Sequence, residues 1–234
     1  MFDLQGINWN ALWNPDGHRI AMLTMQKGDF DIYAKDITAS GAATSLLATP
    51  LDEEPLAWVS DKKLIISQSA ADGRYRLKLL DLDAPDRTFV LSDNPPDTAS
   101  VSPDGRWVAF ADQHTGRFEV YVRLLSGDGL PERITADGGA TPVWSRDGRE
   151  LYYKRANDIV AATWREDANR FKVDRERVWA HLDGTTQGNT GTSGLAGAAS
   201  DGRLLVVLPR DPPLPAQVRV MLNWSEELSR KLAR

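Results

Sequence analysis

The 234-residue chain has no cysteine, which excludes disulfides and thiolate-held metals. Histidine is almost as scarce. Only His18, His114 and His181 occur, and His18 belongs to a turn of its own, so a pure three-histidine metal centre is not expected. Charge of neither sign dominates: 28 Lys and Arg stand against 33 Asp and Glu, for a net charge of −5. With no basic block there is no footprint for nucleic acid. No apolar run approaches the ~20 residues that span a bilayer, so membrane insertion is not expected. The start, Met1-Phe2-Asp3-Leu4-Gln5, lacks the basic and apolar regions of a signal peptide. Catalytic signatures are missing too. There is no Gly-x-Ser-x-Gly, and the Gly/Thr-rich stretch 183–193 precedes no helix, so it is no phosphate loop.

What is present is a repeat. Trp13-Asn14-Pro15-Asp16-Gly17, Trp58-Val59-Ser60-Asp61-Lys62, Val101-Ser102-Pro103-Asp104-Gly105, Trp144-Ser145-Arg146-Asp147-Gly148 and Ala199-Ser200-Asp201-Gly202 share one pattern. Their aspartates fall at 16, 61, 104, 147 and 201, a spacing of 45, then 43 twice, then 54. A period of about 40–45 residues marks a β-propeller blade. Around each motif the chain reads as four short strands. In the third unit these are 99–102, 107–110, 118–124 and 132–135, rich in β-formers and separated by turn residues. The fourth unit gives 142–144, 150–153, 159–164 and 177–181. The expected fold is all-β: one propeller domain of about five four-stranded blades, over 7–50, 51–94, 95–137, 138–183 and 184–224. Ser225, Glu226 and Glu227 look like the capped start of a short C-terminal helix, 225–234.

The fifth unit offers strands at 195–199, 203–208 and 217–223 but no fourth. Residues 1–6 are the spare segment that would close the ring. Otherwise the chain is part of a larger propeller, and its unpaired edges favour a homodimer. Trp13, Trp58 and Trp144 share one motif position, and all three are expected to be buried between blades.

The motif blocks 13–22, 101–110 and 144–153 resemble the TolB-like, WD-like propeller repeats of bacteria. The ending Val220-Met221-Leu222-Asn223-Trp224-Ser225-Glu226-Glu227-Leu228 is similar to that of propellers fused to acidobacterial eukaryotic-like protein kinases. The resemblance implies a sensory or interaction module, often periplasmic or attached to a membrane-anchored kinase, and supplies no catalytic residues. None of the kinase's own motifs is in this chain.

Candidate site residues come from the loops that lead into each inner strand and those joining strands two and three. The first set brings Asn8, Asn10, Asp52, Glu53, Glu54, Asp97, Asp137 and Thr141 toward one mouth. Glu54 and Asp97 each lie four positions before a motif, so adjacent blades place two carboxylates together. Such oxygen donors suit a divalent cation in the central funnel, calcium by its ligand preference or zinc if a histidine joins. Asn10, Arg74, Thr141 and Arg155 are the expected contacts to a protein, peptide or small ligand. His114 and His181 are the candidates for a base or metal ligand in the alternative reading, a metal-assisted ester, lactone or phosphotriester hydrolase. The first reading, a non-catalytic binding module, has the stronger basis, since no site motif stands out. The repeated aspartates are expected to form turns on the opposite face.

Overall fold

A computed structural model describes residues 7–25, 28–94, 96–113, 115–126, 129–182, 194–199 and 201–207. The expected helix at 225–234, the strand at 217–223 and the closing segment 1–6 lie outside these residues.

The motif builds a hydrogen-bonded turn wherever it is complete. In the third unit Gly105 N–H donates to Ser102 O at 2.8 Å, and Asp104 Oδ1 accepts from Arg106 N–H at 3.0 Å. Ser102 Oγ accepts from Trp107 N–H at 2.9 Å, locking the start of the next strand. Gly105 has φ +70°, a conformation that a side chain disfavours. The Asp147 turn repeats this: Gly148 N–H donates to Ser145 O at 2.9 Å, and Asp147 Oδ1 accepts from Arg149 N–H at 3.1 Å. The aspartates are thus turn formers, and hydrogen bonds from neighbouring groups hold Asp16 and Asp147 below the usual carboxylate range.

Each turn joins strands one and two of an antiparallel sheet. The first sheet contains β1 (Ile7–Trp13), β2 (Arg19–Met25), β3 (Phe30–Asp36) and β4 (Thr44–Leu47). The second contains β5 (Glu53–Ser60), β6 (Lys63–Ser69), β7 (Tyr75–Asp81) and β8 (Phe89–Ser92). The third contains β9 (Pro96–Val101), β10 (Trp107–Asp112), β11 (Glu119–Leu124) and β12 (Glu132–Arg133). The fourth contains β13 (Ala140–Trp144), β14 (Glu150–Arg155), β15 (Asp158–Asp167) and β16 (Arg170–His181). Of the fifth, β17 (Gly194–Ala198) and β18 (Leu204–Val207) are described. First strands neighbour one another in the order β1, β5, β9, β13, β17, so they line the inside and the fourth strands form the rim. The fold is a β-propeller. No helix among the described residues is long and apolar enough to cross a membrane.

The core is a series of seams, because each blade buries its two faces only against its neighbours. Strand β6 shows how. Leu64 and Ile66 join Ala21, Ile32, Leu47 and Trp58 between blades one and two. Ile65, one residue out of phase, joins Leu77, Val108 and Phe110 between blades two and three. Period-two alternation thus serves both seams at once.

Two expectations need correction. Trp58 and Trp144 are buried, but Trp13 is 58% exposed. The reason is directional. A motif indole packs on the preceding blade: Trp58 Nε1 donates to Leu12 O at 3.2 Å and Trp144 Nε1 to Ser100 O at 3.1 Å. Trp13 belongs to the first blade, and no described blade precedes it. The fourth blade also departs from the expected strands. Its outer pair runs over Asp158–Asp167 and Arg170–His181, joined by Ala168 and Asn169 at φ +52° and +61°, the signs of a type I′ hairpin turn. The extension returns Trp164 and Phe171, stacked at 4.6 Å, onto Trp107 and Trp144. Arg106 clasps Glu166 through two bonds of 2.8 and 2.9 Å, tying blade four to blade three.

Candidate functional site

The inner strands share a local irregularity. Pairing with the second strand breaks register between Trp9 and Leu12, Pro55 and Ala57, Ala140 and Val143, and Leu195 and Gly197, and around Asp97 in β9. A bulge re-aims the side chains beside it. Asn10 and Thr141, each three residues before a motif tryptophan, sit in these bulges at φ +54° and +48°. The two residues therefore occupy equivalent places on the inner wall of blades one and four.

Asn10 uses this geometry to bridge two blades. Its Nδ2 donates to Glu54 Oε1 at 2.8 Å and to Pro55 O at 3.2 Å. Burial pushes the Glu54 carboxyl above its usual range; Asn10 opposes the shift and the charge of Asp97 adds to it. Asp97 is exposed as a residue, yet protein crowded around its carboxyl removes enough water to raise it too. The structure thus brings Glu54 and Asp97 within electrostatic reach. Their backbones differ despite the shared offset: Glu54 pairs with Ser67, whereas Asp97 is the extra residue of its bulge. Two partly desolvated like charges favour a cation, or a cationic group, between them.

The remaining candidates scatter. Arg74 is exposed in the turn joining β6 and β7, its N–H bound to Asp72 Oδ1 at 3.0 Å. Arg155 ends the second strand of blade four and pairs with Glu176 at 3.0 Å. His181 ends the outermost strand, with Nδ1 2.7 Å from Asp158 Oδ1, so it belongs to the rim rather than the funnel. His114 lies outside the described residues. Asp52 is tied to the loop face, accepting from Phe30 N–H at 3.2 Å and Tyr75 Oη–H at 3.0 Å. Glu53 does not reach the mouth: it is completely buried between blades one and two. Among the described residues no three His, Cys, Asp or Glu side chains gather as a metal site.

Polar groups in the seams escaped the sequence reading. Thr49 and Thr135 each stand nine residues before a motif tryptophan, and each hydroxyl bonds a buried carboxylate, Glu53 and Glu119 respectively. Burial alone would raise Glu119, but Thr135, Arg117 and Gly138 N–H together outweigh it and hold the carboxyl below its usual range. Burial raises Glu53, and the hydrogen bonds from Thr49 and Gln68 do not offset it. The recurring threonine offset was the available signal.

No family model matches the chain, and no curated protein matches it. Solved structures do. A protein described as a TolB from Agrobacterium tumefaciens aligns with a TM-score of 0.60 at 19% identity, over 89% of this chain and 78% of that one. TolB from Acinetobacter baumannii aligns with a TM-score of 0.58 at 18% identity, over 88% of this chain and 55% of that one. A chain of a nidogen/laminin complex follows, with a TM-score of 0.52 at 16% identity, over 69% of this chain and 60% of that one. The chain has the fold of a TolB-like propeller. At these identities the likeness concerns the fold and leaves function to the site.

Proposed function

We propose that this propeller is a non-catalytic binding module whose funnel mouth receives a cationic segment of a protein or peptide. The observation that carries this reading is the Glu54–Asp97 pair, with Asn10 holding Glu54 in place across a blade boundary. Two carboxylates short of water lose part of their mutual repulsion when a guanidinium or ammonium enters. The propellers of a TolB and of a nidogen/laminin complex make a protein partner the natural class. Thr141 extends the wall, and Arg74 and Arg155, where second strands meet third strands, are the outlying contacts that this proposal includes. We take 7–50, 51–94, 95–137, 138–183 and 184–224 as blades of one domain. The resemblance of 220–228 to kinase-fused propellers makes a sensory role the finer form of this proposal, and the exposed Trp13 face is the place where a homodimer would form. No observation favours the hydrolase alternative.

Calorimetric titration of the whole chain with Arg-rich and Glu-rich decapeptides tests the reading. Binding of the basic peptide alone, weakened tenfold or more by the double variant E54Q/D97N, is expected; tenfold is about 1.4 kcal/mol. Equal binding of both peptides, no binding of either, or no effect of the double variant would overturn it. A calcium or zinc ion on the same pair would compete with the basic peptide.

A further inference from the structure

The rim strand of the fourth blade is unlike its counterparts. The outer strands of blades one, two and three have 4, 4 and 2 residues, whereas β16 has 12. It pairs with β15 on one side and ends its sheet on the other. Its outer row of N–H and C=O groups is therefore a template for another strand. Projecting charges commonly guard such an edge, but here most of them turn back onto their own blade. Lys172 pairs with Asp167, Asp174 with Arg165, Glu176 with Arg155 and Arg177 with Glu150. Every residue from Asp174 to Trp179 is exposed, Val178 at 54%.

The two faces of β16 differ in chemistry. Directly paired residues on neighbouring strands point to the same side. Val160 and Ala162 of β15 lie in the seam toward blade three, and their partners are Val178 and Glu176. Phe171 and Val173 pack on that side too. Ala161 lies in the seam toward blade five and pairs with Arg177; Thr163, two residues on, pairs with Arg175. Lys172 falls on this second side by alternation with Phe171 and Val173. One face is thus mainly apolar and the other basic. Arg175 makes no ion pair among the described residues. Register is regular from Arg175 to Val178, between bulges at Asp174 and Trp179, so a new strand would align there. Antiparallel pairing with a second copy would keep like faces together and set these cations against one another, which is destabilising.

We propose that β16 is a docking edge for an extended partner segment of alternating acidic and β-branched residues, which adds a fifth strand to blade four. Main-chain hydrogen bonds supply affinity in this mode, and alternate side chains supply specificity. The acidic side of the segment meets Arg175 and Arg177, and the apolar side meets Val173 and Val178. The edge lies on the rim, so it does not rest on the reading of the funnel mouth. The test titrates the whole chain with a decapeptide of alternating Glu and Val and follows amide hydrogen exchange. Binding is expected, with slowed exchange confined to residues 170–181. R175E, at an exposed position, should weaken it tenfold or more, and E54Q/D97N should leave it unchanged. The same ten residues rearranged as Glu-Glu and Val-Val pairs should bind at least tenfold more weakly, and a peptide rich in Glu alone, which lacks an apolar side, should not bind. No binding, protection elsewhere in the chain, indifference to R175E or equal binding of the rearranged peptide overturns the proposal. So does self-association of the chain alone that protects the same amides, which would assign the edge to a second copy.

Discussion

Replacing Trp144 by alanine should unfold the protein at markedly lower temperature, and replacing Trp13 should not, although both occupy the same motif position. Trp144 is 4% exposed. It packs edge-on against Trp164 at 5.6 Å and Phe171 at 5.8 Å, within the seam that also holds Trp107, Leu151 and Tyr153. Truncating a buried aromatic to alanine costs about 3–5 kcal/mol. The lost indole N–H also strips Ser100 O of a bond, on the order of 1 kcal/mol. For a domain of this size each kcal/mol moves Tm by roughly 2–4 °C, so W144A should fall by about 10 °C or more. Trp13 is 58% exposed, and an exposed substitution usually stays within about 0.5 kcal/mol. Thermal melts and urea titrations of W144A, W144F and W13A make the comparison. W144F should lose less than W144A, because it keeps an aromatic ring in the seam. Equal losses for W13A and W144A would refute the directional packing rule, since both tryptophans would then be buried against a preceding blade.

Glu54 and Asp97 supply a pH prediction. Burial raises both carboxyls, so the folded chain holds these protons more tightly than the unfolded one. Their contribution to stability therefore falls as pH rises from the ordinary carboxylate value, about 4, through the raised folded values. E54Q/D97N should be more stable than wild type at pH 7, with the gap closing toward pH 4; a gap that widens on acidification would show the sign to be wrong. In G139A the added methyl would meet Thr135 Cγ2 at 2.8 Å and Val120 Cγ2 at 2.9 Å, so about 1–3 kcal/mol of stability should be lost in urea titrations. A neutral G139A would show that the seam yields to an added methyl.

Much of the architecture is written in short-range sequence. The Asp-Gly turns depend on residues two to five apart: Ser102, Asp104, Gly105 and Trp107 need nothing beyond their own hairpin. Strand alternation is equally local, which is why Leu64, Ile65 and Ile66 can be assigned to two faces before any contact is known. The equal offset of Glu54 and Asp97 likewise pointed to neighbouring inner strands. Tertiary structure decided the rest. The first, second and fourth motif tryptophans share one motif position; only the presence of a preceding blade buries Trp58 and Trp144 and leaves Trp13 in solvent. Residues 165–176 have charges enough to read as a loop, yet Trp164 and Phe171 find an aromatic seam in another blade, and that burial extends the hairpin. Glu53 and Glu54 are chemically alike and adjacent. Alternation separates their directions, but which one meets a closed seam and which an open mouth depends on Thr49 in the loop before β5 and on Gln68 and Asn10, brought from other strands. Local hydrogen bonding and periodicity are properties of a few consecutive residues, whereas burial of a given side chain is a property of whatever packs across from it.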